Sequence, residues 1–271
     1  MMNLRLAVLG VLAFIGLSGA LLRGDDDEGE KLVRAERLVE MTRRWQAYKA
    51  SLIRDGKETN LEHYPAPLLR WNDPARKDAP IKDGALWAWG TKGRPTALLT
   101  QESYGGQWVC ELISASTADR VAVVTDHGWR WSPEEPGLQL FEFKSAPSLA
   151  ESAPVRLAQM RALARRFEIV QIGHDDTVYK LRFMPQPIHR YDDTSTGLID
   201  GALFAYAWGT NPETIVVVEC QRKQSQNTWR YGFLPTTVAR VEAKLDGKNV
   251  WSRPLEYRPK SQKIYTAFSS E

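Results

Sequence analysis

Hydrophobic positions recur along the chain first at helical spacing and then at strand spacing. From Glu30 to about Ile53, Leu38, Met41, Trp45, Tyr48 and Leu52 share one helical face, while Arg34, Arg37, Arg43 and Arg44 lie mostly elsewhere. The spacing predicts an amphipathic helix. A second is predicted from about Pro154 to Phe167, with Leu157, Met160, Ala164 and Phe167 on its face and Ser152 and Pro154 suited to its first turn. Between helix and core, Val178–Phe183 reads as extended. The Met-Pro-Gln-Pro that follows lacks ladder donors, so this strand belongs at an edge or ends at Pro185. Short runs then predict strands in pairs: Ala85–Trp89 with Ala202–Trp208, Thr96–Glu102 with Thr214–Glu219, Trp108–Ile113 with Trp229–Leu234, Arg120–Thr125 with Arg240–Leu245, and Trp129–Trp131 with Asn249–Trp251. The second pair is apolar on both faces and is expected at the centre of its sheets. The last segment, Ser261–Glu271, is expected to pair locally or fray.

The pairing of these strands reflects a duplication. Lys82–Ser103 and Ile199–Gln221 both open with Asp-Gly-Ala-Leu, continue through Gly-Thr and Pro, and reach a glutamate at the end of an apolar strand. Upstream, Pro65 to Asp73 lines up with Pro185 to Asp193, and Arg43-Arg44-Trp45 with Arg165-Arg166-Phe167. Downstream, Arg120-Val121 matches Arg240-Val241, Asp126 falls opposite Asp246, and Phe141-Glu142-Phe143 resembles Leu255-Glu256-Tyr257. The period of about 120 residues is domain-sized, far beyond a solenoid repeat. The expected fold is α+β: a tandem duplication of a unit with one helix and a mostly antiparallel sheet of about five to six strands, the copies packed about an approximate two-fold axis. The expected boundaries are a signal peptide over 1–20, an acidic linker over 21–30, a first repeat over 31–147 and a second over 148–271.

Export is read from the N-terminus. Arg5, an apolar run from Leu6 to Leu17, and Ser18-Gly19-Ala20 follow the signal-peptide pattern. The expectation is an exported protein (periplasmic, extracellular or of the cell envelope) with no membrane span after signal cleavage. An uncleaved anchor is the competing reading, since the run extends to Leu22. Composition adds little: 43% hydrophobic and 25% charged residues among 271 is ordinary globular usage. The net charge of +3 comes without a Lys/Arg-rich run, which argues against nucleic acid as a partner. Cys110 and Cys220 occupy non-equivalent repeat positions. Two buried free thiols are favoured over a bridge, although export permits one.

Candidate chemistry is sparse. Glu102 and Glu219 end equivalent strands on largely apolar faces, where a carboxylate needs a partner. Across an interface between the repeats they could act as an acid–base pair. The simpler reading is a structural ion pair made twice, with Arg70 and Arg190 or with Arg120 and Arg240. Asp83-Gly84 and Asp200-Gly201 read as turns before strands. His63, His127, His174 and His189 show no metal-ligand spacing, and no cofactor motif is present, so neither metal nor cofactor is expected. Among ten tryptophans, Trp87 and Trp89 alternate onto one face and Trp208 ends its strand; an exposed platform of these residues would bind a sugar face or a protein.

The phrases RLAQMRALARRFE, LRFMPQPIHRY, DGALFAYAWGTNPETIVVVE and LFEFKSAPSL resemble an uncharacterised family of exported proteins from planctomycete-type bacteria. The resemblance spans most of the mature chain and implies no activity, cofactor or catalytic residue. The residues themselves favour an exported, non-enzymatic binding or interaction protein with an unknown protein or carbohydrate ligand. The alternative is an extracytoplasmic hydrolase using Glu102 and Glu219.

Overall fold

The computed structural model describes residues 25–73, 81–104, 107–223, 226–256 and 263–270. The signal-peptide expectation over 1–20 lies outside them. The chain divides into residues 1–36, described from Asp25 onward as helix, and Arg37–Glu271, which holds every described strand.

Helix α1 spans Asp25–Ala47. Its start makes the described part of the expected acidic linker helical. From Arg37 on, Met41 and Trp45 lie one turn apart and are fully buried, as the periodicity predicts. The helix stops well short of Ile53. Lys49–Arg54 is instead strand β1, hairpinned to β2 (Lys57–Asn60) around Asp55 and Gly56, both at positive φ. The helical period runs on in the sequence because Leu52 suits either structure. Pairing of β1 with a later strand decides the outcome.

The first half continues with β3 (Leu69–Asp73), β4 (Ile81–Trp89), β5 (Ala97–Tyr104), β6 (Gln107–Ser114), β7 (Arg120–Val124), β8 (Arg130–Trp131) and β9 (Phe141–Glu142). Helix α2 (Ala153–Ala164) opens the second half with Pro154 in its first turn, and it too ends early, because Phe167–Ile172 is strand β10. There follow β11 (Val178–Lys180), β12 (Arg182–Phe183), β13 (His189–Asp193), a short 3-10 turn (Thr194–Thr196), β14 (Leu198–Trp208), β15 (Asn211–Lys223), β16 (Gln226–Pro235), β17 (Arg240–Leu245), β18 (Lys248–Arg253) and β19 (Tyr265–Ser270).

Every described ladder is antiparallel, and four sheets result. Two are small, with orders β2-β1-β7-β8 and β11-β10-β17-β18. Two are large, with orders β19-β6-β5-β4-β3 and β9-β16-β15-β14-β12, where β13 also pairs with β14. The protein is thus α+β with mostly antiparallel sheets. The apolar strands β5 and β15 are central, and the extended segment before Pro185 supplies the edge strands β11 and β12, as expected.

The large sheets are finished across the halves. Strand β9, at the end of the first half, pairs with β16 of the second (Tyr231 opposite Phe141), and β19, at the end of the second, pairs with β6 of the first (Cys110 opposite Phe268). Phe141 therefore matches Phe268, not Leu255. The described part of the last segment neither frays nor pairs locally: Tyr265–Ser270 covers the β6 edge and becomes the terminal strand of that sheet. The matched pairings of β1 with β7 and β10 with β17 likewise place Tyr48 opposite Phe167 in role, three residues away from the alignment of Trp45 with Phe167.

Three apolar layers fill the molecule from Arg37 on. The central one lies between the large sheets, built from Leu86, Leu98 and Ile113 of one and Leu203, Ile215 and Val217 of the other. The outer faces are covered by α1 with its small sheet (Met41, Trp45, Trp87, Trp131) and by α2 with its own (Met160, Phe167, Phe204, Phe233). Cys110 and Cys220 form no disulfide and lie buried in these two different outer layers.

Candidate functional site

The features that recur in both halves resolve as architecture. Asp83 and Asp200 lie inside β4 and β14, buried, and are not turn residues. Arg70 reaches Asp83 at 2.5 Å, and Arg190 grips Asp200 through two nitrogens at 2.8 and 2.5 Å, with Arg156 of α2 adding a third contact at 2.7 Å. The buried carboxylates are thus compensated where they stand. The glycines beside them lie under rings: Trp71 is opposite Gly84 and Tyr191 opposite Gly201 in register. A Cβ on Gly84 would come 2.4 Å from Trp71 Cε2, and one on Gly201 2.5 Å from Tyr191 Cε2. Asp-Gly recurs because one sheet position needs an arginine partner and the next needs room for an aromatic ring.

Glu102 and Glu219 occupy matching register positions, opposite Gly84 and Gly201, and both are buried on the central face. Neither of the arginine pairs expected from the sequence supplies the Glu219 contact. Arg94, on the β4–β5 loop of the other half, donates to Glu219 Oε1 at 2.6 Å, and Tyr191 Oη donates to the same oxygen at 2.9 Å. Burial opposes the Arg94 charge, but the Glu219 carboxylate outweighs it and raises the Arg94 pKa. The Tyr191 hydroxyl is pushed well above its ordinary value by burial and by the same carboxylate.

Glu102 sits instead near Glu111 of β6, whose other acidic neighbour is Glu213. Glu213 precedes Glu219 on β15 by six residues, a span of about 20 Å in extended chain. The two glutamates therefore stand toward opposite ends of the central layer. They do not flank one bond at the roughly 5–10 Å separation a two-carboxylate hydrolase requires.

Trp87 and Trp89 form no exposed platform. Both are buried under α1, where Trp45 stacks on Trp87 with ring centroids 5.4 Å apart and lies 4.1 Å from Trp89. Alternation placed them on one face correctly, but that face is the one the helix covers. Trp208 is half-buried against the second outer layer, with the Tyr179 ring 5.1 Å away.

The exposed tryptophan is Trp129, 37% accessible, which stands before β8. It walls an open cleft of about 450 Å³ together with Tyr48, Phe268 and the polar Thr125, Asp126 and His127. Phe268, carried in by β19, lies with its ring centre 5.1 Å from that of Trp129 and 6.3 Å from that of Tyr48. Gly128, at positive φ, turns the chain between β7 and β8 and so sets Trp129 at the rim. The second half has Asn249 where the first has Trp129. That difference is visible in the sequence, but the contribution of Phe268 is not, because it depends on the strand exchange.

Among the described residues, no group of His, Cys, Asp and Glu side chains is arranged to hold a metal, and no helix is long and apolar enough to cross a membrane. No protein-family model, curated protein or solved structure matches the chain.

Proposed function

We propose that the protein is an exported, non-enzymatic binding protein, and that its ligand lays a ring face on Trp129. The single observation carrying this reading is the aromatic cleft. Its volume falls in the range of small-ligand sites, roughly 300–1,000 Å³, and it combines apolar walls with a few polar groups at one end. Indole and phenyl faces pack against the C–H face of a sugar ring, while Asp126, His127 and Thr125 can hydrogen-bond its hydroxyls. A carbohydrate is therefore the favoured ligand class. The matched topology of the halves and their reciprocal strand exchange support two copies of one unit about an approximate two-fold axis. The signal-like N-terminus supports export.

The test is calorimetric titration with cello-, xylo- and chito-hexaose. Saturable binding by one of them, lost in Trp129→Ala at an unchanged melting temperature, is the expected result. A Trp129→Ala protein that binds as well as the native chain would refute the placement, and no binding by any of the three would refute the ligand class.

A further inference from the structure

We propose a second binding site: an oxyanion pocket at the seam between the two halves, headed by Arg230. A cleft of about 230 Å³ is lined there by Lys92, Arg94 and Thr117 from the first half and Glu219, Gln221 and Arg230 from the second, with Asp193 at its edge. Three cations face two carboxylates, leaving one positive charge in excess.

The cations differ in what they have left to give. Arg94 is engaged at all three nitrogens: Nε donates to the Ala115 carbonyl at 3.1 Å, Nη1 to Glu219 and Nη2 to Thr117 Oγ1 at 3.1 Å. It forms a wall. Lys92 stands at the rim with a mostly exposed side chain, its Nζ 3.2 Å from Ser195 Oγ and 3.8 Å from Asp193. Arg230 donates through Nη2 to Gln221 and lies 3.9 Å from Glu219 Oε2, while its Nε is buried with no hydrogen-bond partner. The Arg230 side chain is nevertheless 28% exposed, so an oxyanion in the cleft can meet its guanidinium head and take up the excess charge.

The fold does not demand this arginine. Glu219 is opposite Arg230 in register, whereas the matching Glu102 is opposite Val109. A residue that only served the sheet would be expected at both places. A second cleft of about 460 Å³ shares Thr117 and Arg230 and continues past Leu138, Gln139 and Leu140, so a ligand anchored by its anionic group has room to extend along it. The ligand class is a small carboxylate or phosphate. This site is independent of the aromatic cleft.

The experiment is calorimetric titration of the mature protein with sodium phosphate and, separately, sodium acetate, against sodium chloride at matched ionic strength. Saturable binding of either anion beyond the chloride control is expected, weakened at least tenfold by Arg230→Gln and unaffected by Trp129→Ala. Phosphate binding alone assigns a phosphate-bearing ligand, and acetate binding alone a carboxylate. Lys92→Gln at the exposed rim weakens binding without touching the buried network, which keeps the test valid if Arg230→Gln fails to fold. Responses to both anions that match chloride would overturn the proposal, as would native affinity in both variants.

Discussion

Raising the pH through the neutral range should destabilise this protein through Glu111, and Glu111→Gln should remove the effect. Burial first, and the Glu102 charge second, push the Glu111 carboxyl from 4.5 to about 8; Tyr265 and Thr100, whose hydroxyls donate to its two oxygens, pull the other way, and Glu213 adds to the rise. The folded chain keeps a proton that the unfolded chain releases near 4.5. The stabilising contribution is therefore complete below about pH 4.5, falls as pH climbs and is gone above about pH 8. At about 1.36 kcal/mol per unit, the whole window amounts to about 5 kcal/mol. Part of the residue meets solvent, which screens the charge and lowers this to roughly 3–5 kcal/mol. Between pH 6 and pH 8 the loss is about 2–3 kcal/mol, or roughly 5–10 °C in melting temperature for a chain of this size. Glutamine retains an acceptor for one hydroxyl and offers an amide donor to the other, so it reproduces the protonated acid. The assay is thermal denaturation of native and Glu111→Gln proteins from pH 5 to pH 9. The native curve should fall relative to the variant across this window. Parallel curves would refute the reasoning.

Two further outcomes follow from packing. Gly84→Ala, which would drive a Cβ against the Trp71 ring, should lower stability by about 1–3 kcal/mol, measured by urea unfolding. Trp71→Leu in the same chain should recover part of that loss, whereas strictly additive losses would show that the ring is not the obstacle. Removing residues 263–271 strips β6 of the partner it pairs with from Trp108 to Ile113 and takes the Tyr265 hydroxyl from Glu111. The shortened chain should melt markedly earlier and regain stability when a peptide of residues 263–271 is added; an unchanged melting temperature would argue against strand exchange.

The local pattern carried much of the fold. Alternating and apolar runs located the strands, and the two-sided apolar character of β5 and β15 placed them at sheet centres, because a strand with neighbours on both faces has no polar side to show. The helices end before Leu52 and Phe167, where an apolar residue fits a helical stripe and a strand face equally well. The repeated Asp-Gly has the composition of a turn, whereas an arginine and a ring from the neighbouring strand make it a strand motif. Trp87 and Trp89 were correctly placed on one face, but which face a helix covers is a tertiary matter. Trp129 stood out too little, since an exposed indole and a buried one look alike in a sequence.

What the sequence by itself determined is the set of units: two runs of helix and strands in the same order, a glutamate in the later part of each central strand, and an aspartate beside a glycine in each run. These follow from side-chain periodicity and backbone preference, which act within a few residues. Only the tertiary structure decided how the halves join. It paired β9 with β16 and β19 with β6, set Arg94 on Glu219, and brought Phe268 beside Trp129. Each of these contacts closes over long stretches of chain. They are selected by which sheet edges and buried charges remain unsatisfied once the local elements have formed, and no local pattern encodes that.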